Sequence, residues 1–315
     1  RGIDMGHDKL RKFAENETFA CLLQPSAQEL LADGYFSLRD HSIKGHWADG
    51  MFSSAGDSGA APTGCSGSQK DCSFGKCPAE PGEQPPKQLK PRADRPLTLE
   101  LGCGKGEYTI DLARRCPEGN YVGVDIKGAR LWRGAKTATE TGMRNVAFLR
   151  TRIEFITAFF APDEVSQIWL TFSDPQLKSE NSRLTSPLFL ERYRKFLRPG
   201  GVVHLKTDSR FLHEYTLAVC RANGLRVLCA TTDLYGVFCR DGSRAAEYIA
   251  EHPELTQVQT FYERMFLSQG YKITYLAFTI DHEGSYKHPE AFDSDYWRSI
   301  EGPRRFVHSP ASSQR

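Results

Sequence analysis

A chain of 315 residues is longer than an average single domain, and its 41 Lys plus Arg against 39 Asp plus Glu give no charge excess from which a nucleic-acid partner follows. Hydrophobic residues make up 39% of the chain and aromatics 11%, and no apolar run reaches the length of a bilayer-spanning helix, so no membrane partner is expected. Nine cysteines, an odd count, exclude complete intramolecular pairing and predict the reduced thiols of a cytoplasmic protein.

Residues 1–52 read as an N-terminal arm. Arg1 to Asp4 precede Met5, which reads as a start; no charged-then-apolar leader follows, and Leu10 stands where a myristoylation signal needs Ser or Thr. Lys9 to Phe52 is weakly periodic. Within it Lys44-Gly45-His46-Trp47 joins charge to a stacking surface, and two readings stay open: contact with RNA, or an arm that packs Trp47 onto the core. Residues 53–96 differ in kind, because Gly, Ser, Ala and Pro dominate and aromatics nearly vanish, so a disordered low-complexity linker is expected. Its Cys65, Cys72 and Cys77 have no fourth Cys or His nearby, and no metal is expected. A folded domain is expected over 97–280, followed by a C-terminal tail over 281–315.

From Leu97 strands and helices alternate at the spacing of parallel β-α units. Strands are predicted at Leu97–Gly102, Tyr121–Asp125, Val146–Arg150, Ser166–Phe172, Val202–Thr207, Arg226–Ala230 and Ile273–Phe278. Helices are predicted at Gly106–Arg115, Gly128–Thr141, Ser186–Leu197 and Arg210–Asn223. Such an α/β sheet binds ligands outside the carboxyl ends of its strands, where Glu100, Asp125, Asp174 and Asp208 would form one acidic rim.

The first strand runs straight into a glycine loop, LTLELGCGKGEYT. Gly102, Gly104 and Gly106 let the backbone bend and approach a ligand, and the amides that open the next helix point into that space. Asp125, about twenty residues on, ends the second strand where an acid meets a ribose. A dinucleotide loop wants G-x-G-x-x-G, whereas this one reads G-x-G-x-G and is followed by Glu107. A carboxylate there repels a pyrophosphate but not a cationic or zwitterionic ligand, and Glu100 argues the same way. S-adenosylmethionine, with its ammonium and sulfonium, fits both.

The fourth strand, QIWLTFSDPQLK, places Ile168, Trp169, Leu170 and Phe172 in the core. Pro175 biases Asp174 toward extended backbone and so holds the acid, and Lys178 follows four residues past it. Downstream Arg183, Arg192, Arg194, Lys195 and Arg198 read as a basic zone close to that acid, or else as a charged helix surface.

Together LELGCGKGEYT, YVGVDIKGARLW, IWLTFSDPQLK, RLTSPLFLERYRKFLRPGG, HLKTDS and Thr260-Phe261-Tyr262-Glu263 resemble the bacterial tRNA guanine-N7 methyltransferases, which methylate guanine 46 of the variable loop. The resemblance covers Leu97 to about Phe278, and more weakly Met5 to Phe52. It implies a class I, Rossmann-like methyltransferase fold with seven strands, mostly parallel with one antiparallel, the latter at Ile273–Phe278. Carried over by position, it implies that Glu100, Gly102, Gly104, Gly106, Asp125 and Arg152 surround S-adenosylmethionine, with Asp174 at the catalytic position beside it. Lys178, Asp208, Thr260, Phe261, Tyr262 and Glu263 would meet the tRNA or its target base, and the active species would be a monomer or homodimer. Two positions depart from the family: Ser173 replaces the commoner proline, and Arg152 stands where an Asp or Asn usually lies near the adenine. Arg152 offers only donors and is expected to turn away from the ligand toward an acid such as Glu154.

A methyltransferase for a small molecule or a protein side chain shares the glycine loop but gives no reason for Asp174, Lys178, the arginine-rich helix and Asp208 on one rim. An RNA-binding protein without catalysis gives no reason for intact acids at every strand end.

Overall fold

The computed structural model describes residues 3–32, 37–52, 94–237 and 243–301. Cys65, Cys72 and Cys77, and with them the linker reading of 53–93, lie outside the described residues.

Eight strands form one sheet: β1 (Leu22–Leu23), β2 (Leu97–Leu101), β3 (Asn120–Asp125), β4 (Val146–Arg150), β5 (Val165–Thr171), β6 (Leu197–Thr207), β7 (Val227–Thr231) and β8 (Thr274–Thr279). Their order is β1-β4-β3-β2-β5-β6-β8-β7. All pair in parallel except β8, which runs antiparallel to both β6 and β7. The seven expected strands are present, with their antiparallel member where it was placed. The eighth, β1, comes from the arm and adds to the edge through Leu22 opposite Phe148. Two residues carry too little period-2 signal to be read as a strand; the free edge of β4 supplies the template.

Helices flank the sheet: α1 (Ile3–Asn16), α2 (Glu107–Arg115), α3 (Gly128–Glu140), α4 (Pro187–Tyr193), α5 (Arg210–Ala222), α6 (Arg244–Glu251), α7 (Phe261–Ser268) and α8 (Ser294–Glu301). Pro187 occupies the first turn of α4, and Ser209, Ser243 and Thr260 cap α5, α6 and α7 by accepting from Leu212, Ala246 and Glu263 amides. The expected helix over Ser186–Leu197 ends at Tyr193 and β6 already begins at Leu197, because the chain must turn back to pair with Val165.

Strand alternation sends side chains to two cores. Leu97, Leu99, Leu101, Ile168 and Leu170 lie on one side of the sheet, and Phe148, Trp169 and Tyr275 on the other. Trp169 is buried and stacks on His204 with ring centroids 4.1 Å apart. The arm is tied to the same body. Trp47 is buried against Phe160, and its indole N–H donates to the Phe159 carbonyl at 2.8 Å. Of the two readings of Lys44-Gly45-His46-Trp47, the structure therefore has the packed one, and Lys44 is paired with Asp40 at 2.7 Å. At the other end, Phe292 of the tail packs edge-on against Phe211 and Tyr215, and α8 lies along α5.

Candidate active site

β2 lies between β3 and β5, so the connection from β4 to β5 crosses to the opposite side of β2 and a crevice opens at the carboxyl ends of the strands. A cavity of about 740 Å³ occupies it, and Gly102, Asp125, Arg152, Asp174, Asp208 and Tyr262 are among its lining residues.

The glycine-loop side is built from backbone. Gly102, Gly104 and Gly106 all have positive φ, at 81°, 59° and 70°. A Cβ at Gly102 or Gly104 would enter open space, so these two leave a cradle, whereas a Cβ at Gly106 would stand 2.5 Å from the Phe148 ring. Gly106 thus serves the packing of α2 on the sheet. The Asp125 carboxylate accepts from the Gly104 amide at 3.0 Å and the Lys127 amide at 2.7 Å, which fixes it against the loop.

Glu100 does not stand on the acidic rim. It is buried under the loop, where one oxygen accepts from the Thr109 amide and hydroxyl and the other from the Thr171 hydroxyl. Burial raises its pKa from 4.5 to about 7, against the pull of those hydrogen bonds and with some push from Asp125. Its position within β2 explains this: alternation turns Glu100 to the face covered by α2, where Thr109 and Thr171 meet it. Glu107 also faces elsewhere, accepting from the Phe261 amide at 2.9 Å and so joining the starts of α2 and α7. The repulsive role expected of these two carboxylates therefore falls to the carboxylates that line the cavity, Asp125 beside the loop among them.

The opposite side is built from a strained turn. Phe172 and Gln176 both adopt positive φ, 51° and 47°, on either side of Ser173-Asp174-Pro175. Asp174 is exposed to the cavity, and its carboxylate accepts from the Gln176 amide at 2.9 Å. Beneath the turn lies Arg183, buried between Phe211 and Tyr215, donating to the carbonyls of Pro175, Gln176 and Leu177. Burial lowers its pKa. From the tail, Arg298 donates to the same Leu177 carbonyl at 3.0 Å, one residue before exposed Lys178.

The third wall is the start of α7. Thr260 is spent as its cap, Phe261 and Tyr262 are about half exposed, and Glu263 is fully buried. Glu263 pairs with Lys206 at 2.8 Å and accepts from the Tyr235 hydroxyl at 2.6 Å. The same ammonium donates to the carbonyls of Leu255 and Val258, so it ties β6 to the chain entering α7. Burial lowers the pKa of Lys206, and Glu263 opposes that shift.

Residues 94–274 match a family model described as "Putative methyltransferase". A tRNA (guanine-N(7)-)-methyltransferase of Christiangramia forsetii is 42% identical over 87% of this chain and 98% of its own length. One from Bacteroides thetaiotaomicron is 47% identical over 67% of this chain and 80% of its own. The chain belongs to the tRNA (guanine-N(7)-)-methyltransferase family. It is a class I methyltransferase. Among solved structures, the 16S rRNA methyltransferase KamB covers 59% of this chain and 88% of its own at 16% identity with a TM-score of 0.43.

In this family member the expected basic zone is mostly not at the pocket. Arg183 is the buried clamp just described, and Arg194 donates to the carbonyls of His282 and Gly284 in the tail. Arg192 lies over Phe189. Lys195 and Arg198 sit at the start of β6, whose other end reaches the pocket; at ~3.3 Å per residue the whole strand separates them from it. Arg152 is within 3.7 Å of Glu154, the acid expected for it, and over the Phe155 ring, and both it and Glu154 line the cavity. Ile126, Lys127, Arg130 and Thr151 also line the cavity and were not anticipated. Their signal was present in the sequence, since Ile126, Lys127 and Thr151 follow strand ends and Arg130 lies in the first turn of α3, but no residue type among them announces a ligand.

Proposed function

We propose that the protein transfers the methyl group of S-adenosylmethionine to N7 of a variable-loop guanine of tRNA, the position numbered 46. The observation that carries this reading is the pocket itself, with a backbone cradle and Asp125 on one wall and Asp174, held on a strained turn, on the other. The residues fit the cofactor: Gly102 and Gly104 leave room that a side chain would fill, and Thr151 lines the cavity with its hydroxyl buried and without a hydrogen-bond partner among the described residues. Asp125 would hold the ribose, and Thr151 the adenine end. S-adenosylmethionine supplies an electrophilic methyl group on a sulfonium.

What the chain's own residues must do follows from the acceptor. Guanine N7 carries an in-plane lone pair and no proton, so no general base is required and alignment is the main task. As positive charge arrives on the purine, its N1 and amino protons become stronger donors. Asp174, fixed by the Gln176 amide, would accept them, selecting guanine and following the charge. Lys178 and Asp208 would position the RNA, and Tyr262 with Phe261 offers aromatic surface on the rim. The relatives named above are tRNA methyltransferases for this atom, which supports the substrate class. The five described cysteines are free thiols, in keeping with a cytoplasmic setting.

Incubation with S-adenosylmethionine and an unmodified tRNA transcript, followed by nucleoside analysis, should yield 7-methylguanosine. A transcript with adenine at position 46 should yield none. Product from both transcripts would remove the position, and product from neither would remove the reading.

A further inference from the structure

With Arg183 and Arg194 tied into the protein and Lys195 and Arg198 at the far end of β6, the cations beside the pocket have to be found elsewhere. Four lie on one face. Lys127 and Arg130 line the cavity at the start of α3, Arg133 follows one turn on, and Lys105 projects from the glycine loop. The loop backs onto the same helix: the Lys105 carbonyl oxygen is 3.0 Å from where a Cβ on Gly134 would stand. All four side chains are exposed, and none has a carboxylate partner among the described residues.

The arm extends this face. α1 lies along α3, with the Asn16 amide donating to the Gly128 carbonyl at 3.0 Å and Arg150 over the Phe13 ring at 5.0 Å. Trp132 of α3 donates to Glu15 at 2.5 Å, and Arg11, Lys12 and Lys136 approach its ring at 5.2, 5.1 and 5.1 Å. The carboxylates here, Asp8, Glu15 and Glu140, are taken up by those three cations. Lys105, Lys127, Arg130 and Arg133 therefore form no ion pair with any of these carboxylates. Next to these four cations Ile126 is 54% exposed at the pocket mouth.

Unpaired cations spaced along a helix, with no acceptor groups among them to read a base edge, suit a row of phosphates. We propose that the outer face of α3, with α1 laid against it, is the platform on which the RNA backbone flanking the target nucleotide rests, Lys105, Lys127, Arg130 and Arg133 making the phosphate contacts. This rests on the tRNA reading of the same pocket and adds the surface that carries the rest of the substrate.

The test is affinity for unmodified tRNA as a function of salt, in the full chain. Arg130→Gln combined with Arg133→Gln should weaken binding about 10-fold or more near 0.1 M salt and flatten the slope of log affinity against log salt by about 1.5 to 2. The thermal unfolding midpoint serves as the control for folding and should hold in this variant. Lys195→Gln combined with Arg198→Gln, at the opposite end of the sheet, should leave tRNA affinity and slope as they were. If the parent methylates tRNA while the α3 variant keeps the parental affinity and slope, or if the two double variants lose equally, the platform is overturned. If the parent forms no 7-methylguanosine, the fault lies with the substrate reading instead.

Discussion

The two walls of the pocket are made by different means. On the glycine-loop wall the contacts are backbone amides and one acid pinned by two of them, with Glu100 and Thr109 bracing the loop from below. On the facing wall the presented groups are the ends of side chains on a turn and a helix start, and what holds them is buried: Arg183 under Asp174, and Lys206 with Glu263 under Tyr262. A wall of amides suits a ligand of constant shape. A wall of exposed side chains on buried ionic anchors suits a partner that arrives as a large surface, because the anchors survive its docking.

The largest effect expected from this contrast falls on an anchor. Lys206→Met keeps the bulk but leaves Glu263 buried and uncompensated, and should cost about 3–5 kcal/mol in denaturant unfolding, with Glu263→Gln in addition restoring much of it. A single variant as stable as the parent would mean that the pair is not an anchor.

Next comes the brace under the other wall. Because Glu100 has its folded pKa raised to about 7 from 4.5, the native state keeps a proton that the unfolded chain has lost between those values. Its contribution to stability therefore falls as pH rises through that window, by up to about 3 kcal/mol, and is flat above it. Glu100→Gln should remove this fall, read as the difference between parent and variant in stability against pH. Parallel profiles for the two proteins would show that Glu100 is ionised throughout.

Smaller effects separate binding from transfer. Asp125→Ala should weaken S-adenosylmethionine by about 1–3 kcal/mol in calorimetry, the scale of a lost charge-assisted hydrogen bond. Asp174→Asn should instead lower the single-turnover rate at saturating tRNA and leave cofactor affinity nearly intact. Both variants losing cofactor affinity alike would erase the difference between the walls. The smallest effect is at Arg152, which leans on Glu154 and Phe155: Arg152→Ala should be nearly neutral for cofactor binding, and a large loss there would make it a ligand contact.

Much of the glycine-loop wall was legible in the chain. Positive-φ glycines between a strand and a helix, with an acid at the next strand end, form a local pattern, and local patterns survive without knowledge of the fold. Gly106 shows the limit even there, since its spacing matches a ligand loop but its reason is the Phe148 ring across the sheet. The arginines of 183–198 show it more fully. Their clustering is real in sequence, yet strand and helix geometry sends Arg183 inward, Arg194 to the tail and Arg198 to the far end of β6.

What the sequence by itself determined is the alternation of strands and helices, the position of the antiparallel strand, the loop, and the acids Asp125, Asp174 and Asp208 at strand ends, because backbone period and turn chemistry act over a few residues. Only the tertiary structure decided that Glu100 and Glu263 lie inside, that Trp47 packs against Phe160, that the arm joins the sheet through β1, and that the tail packs on α5 through α8. Burial and ion pairing depend on which residues distant in sequence come to face one another, as Lys206 does Glu263, and no local pattern carries that information.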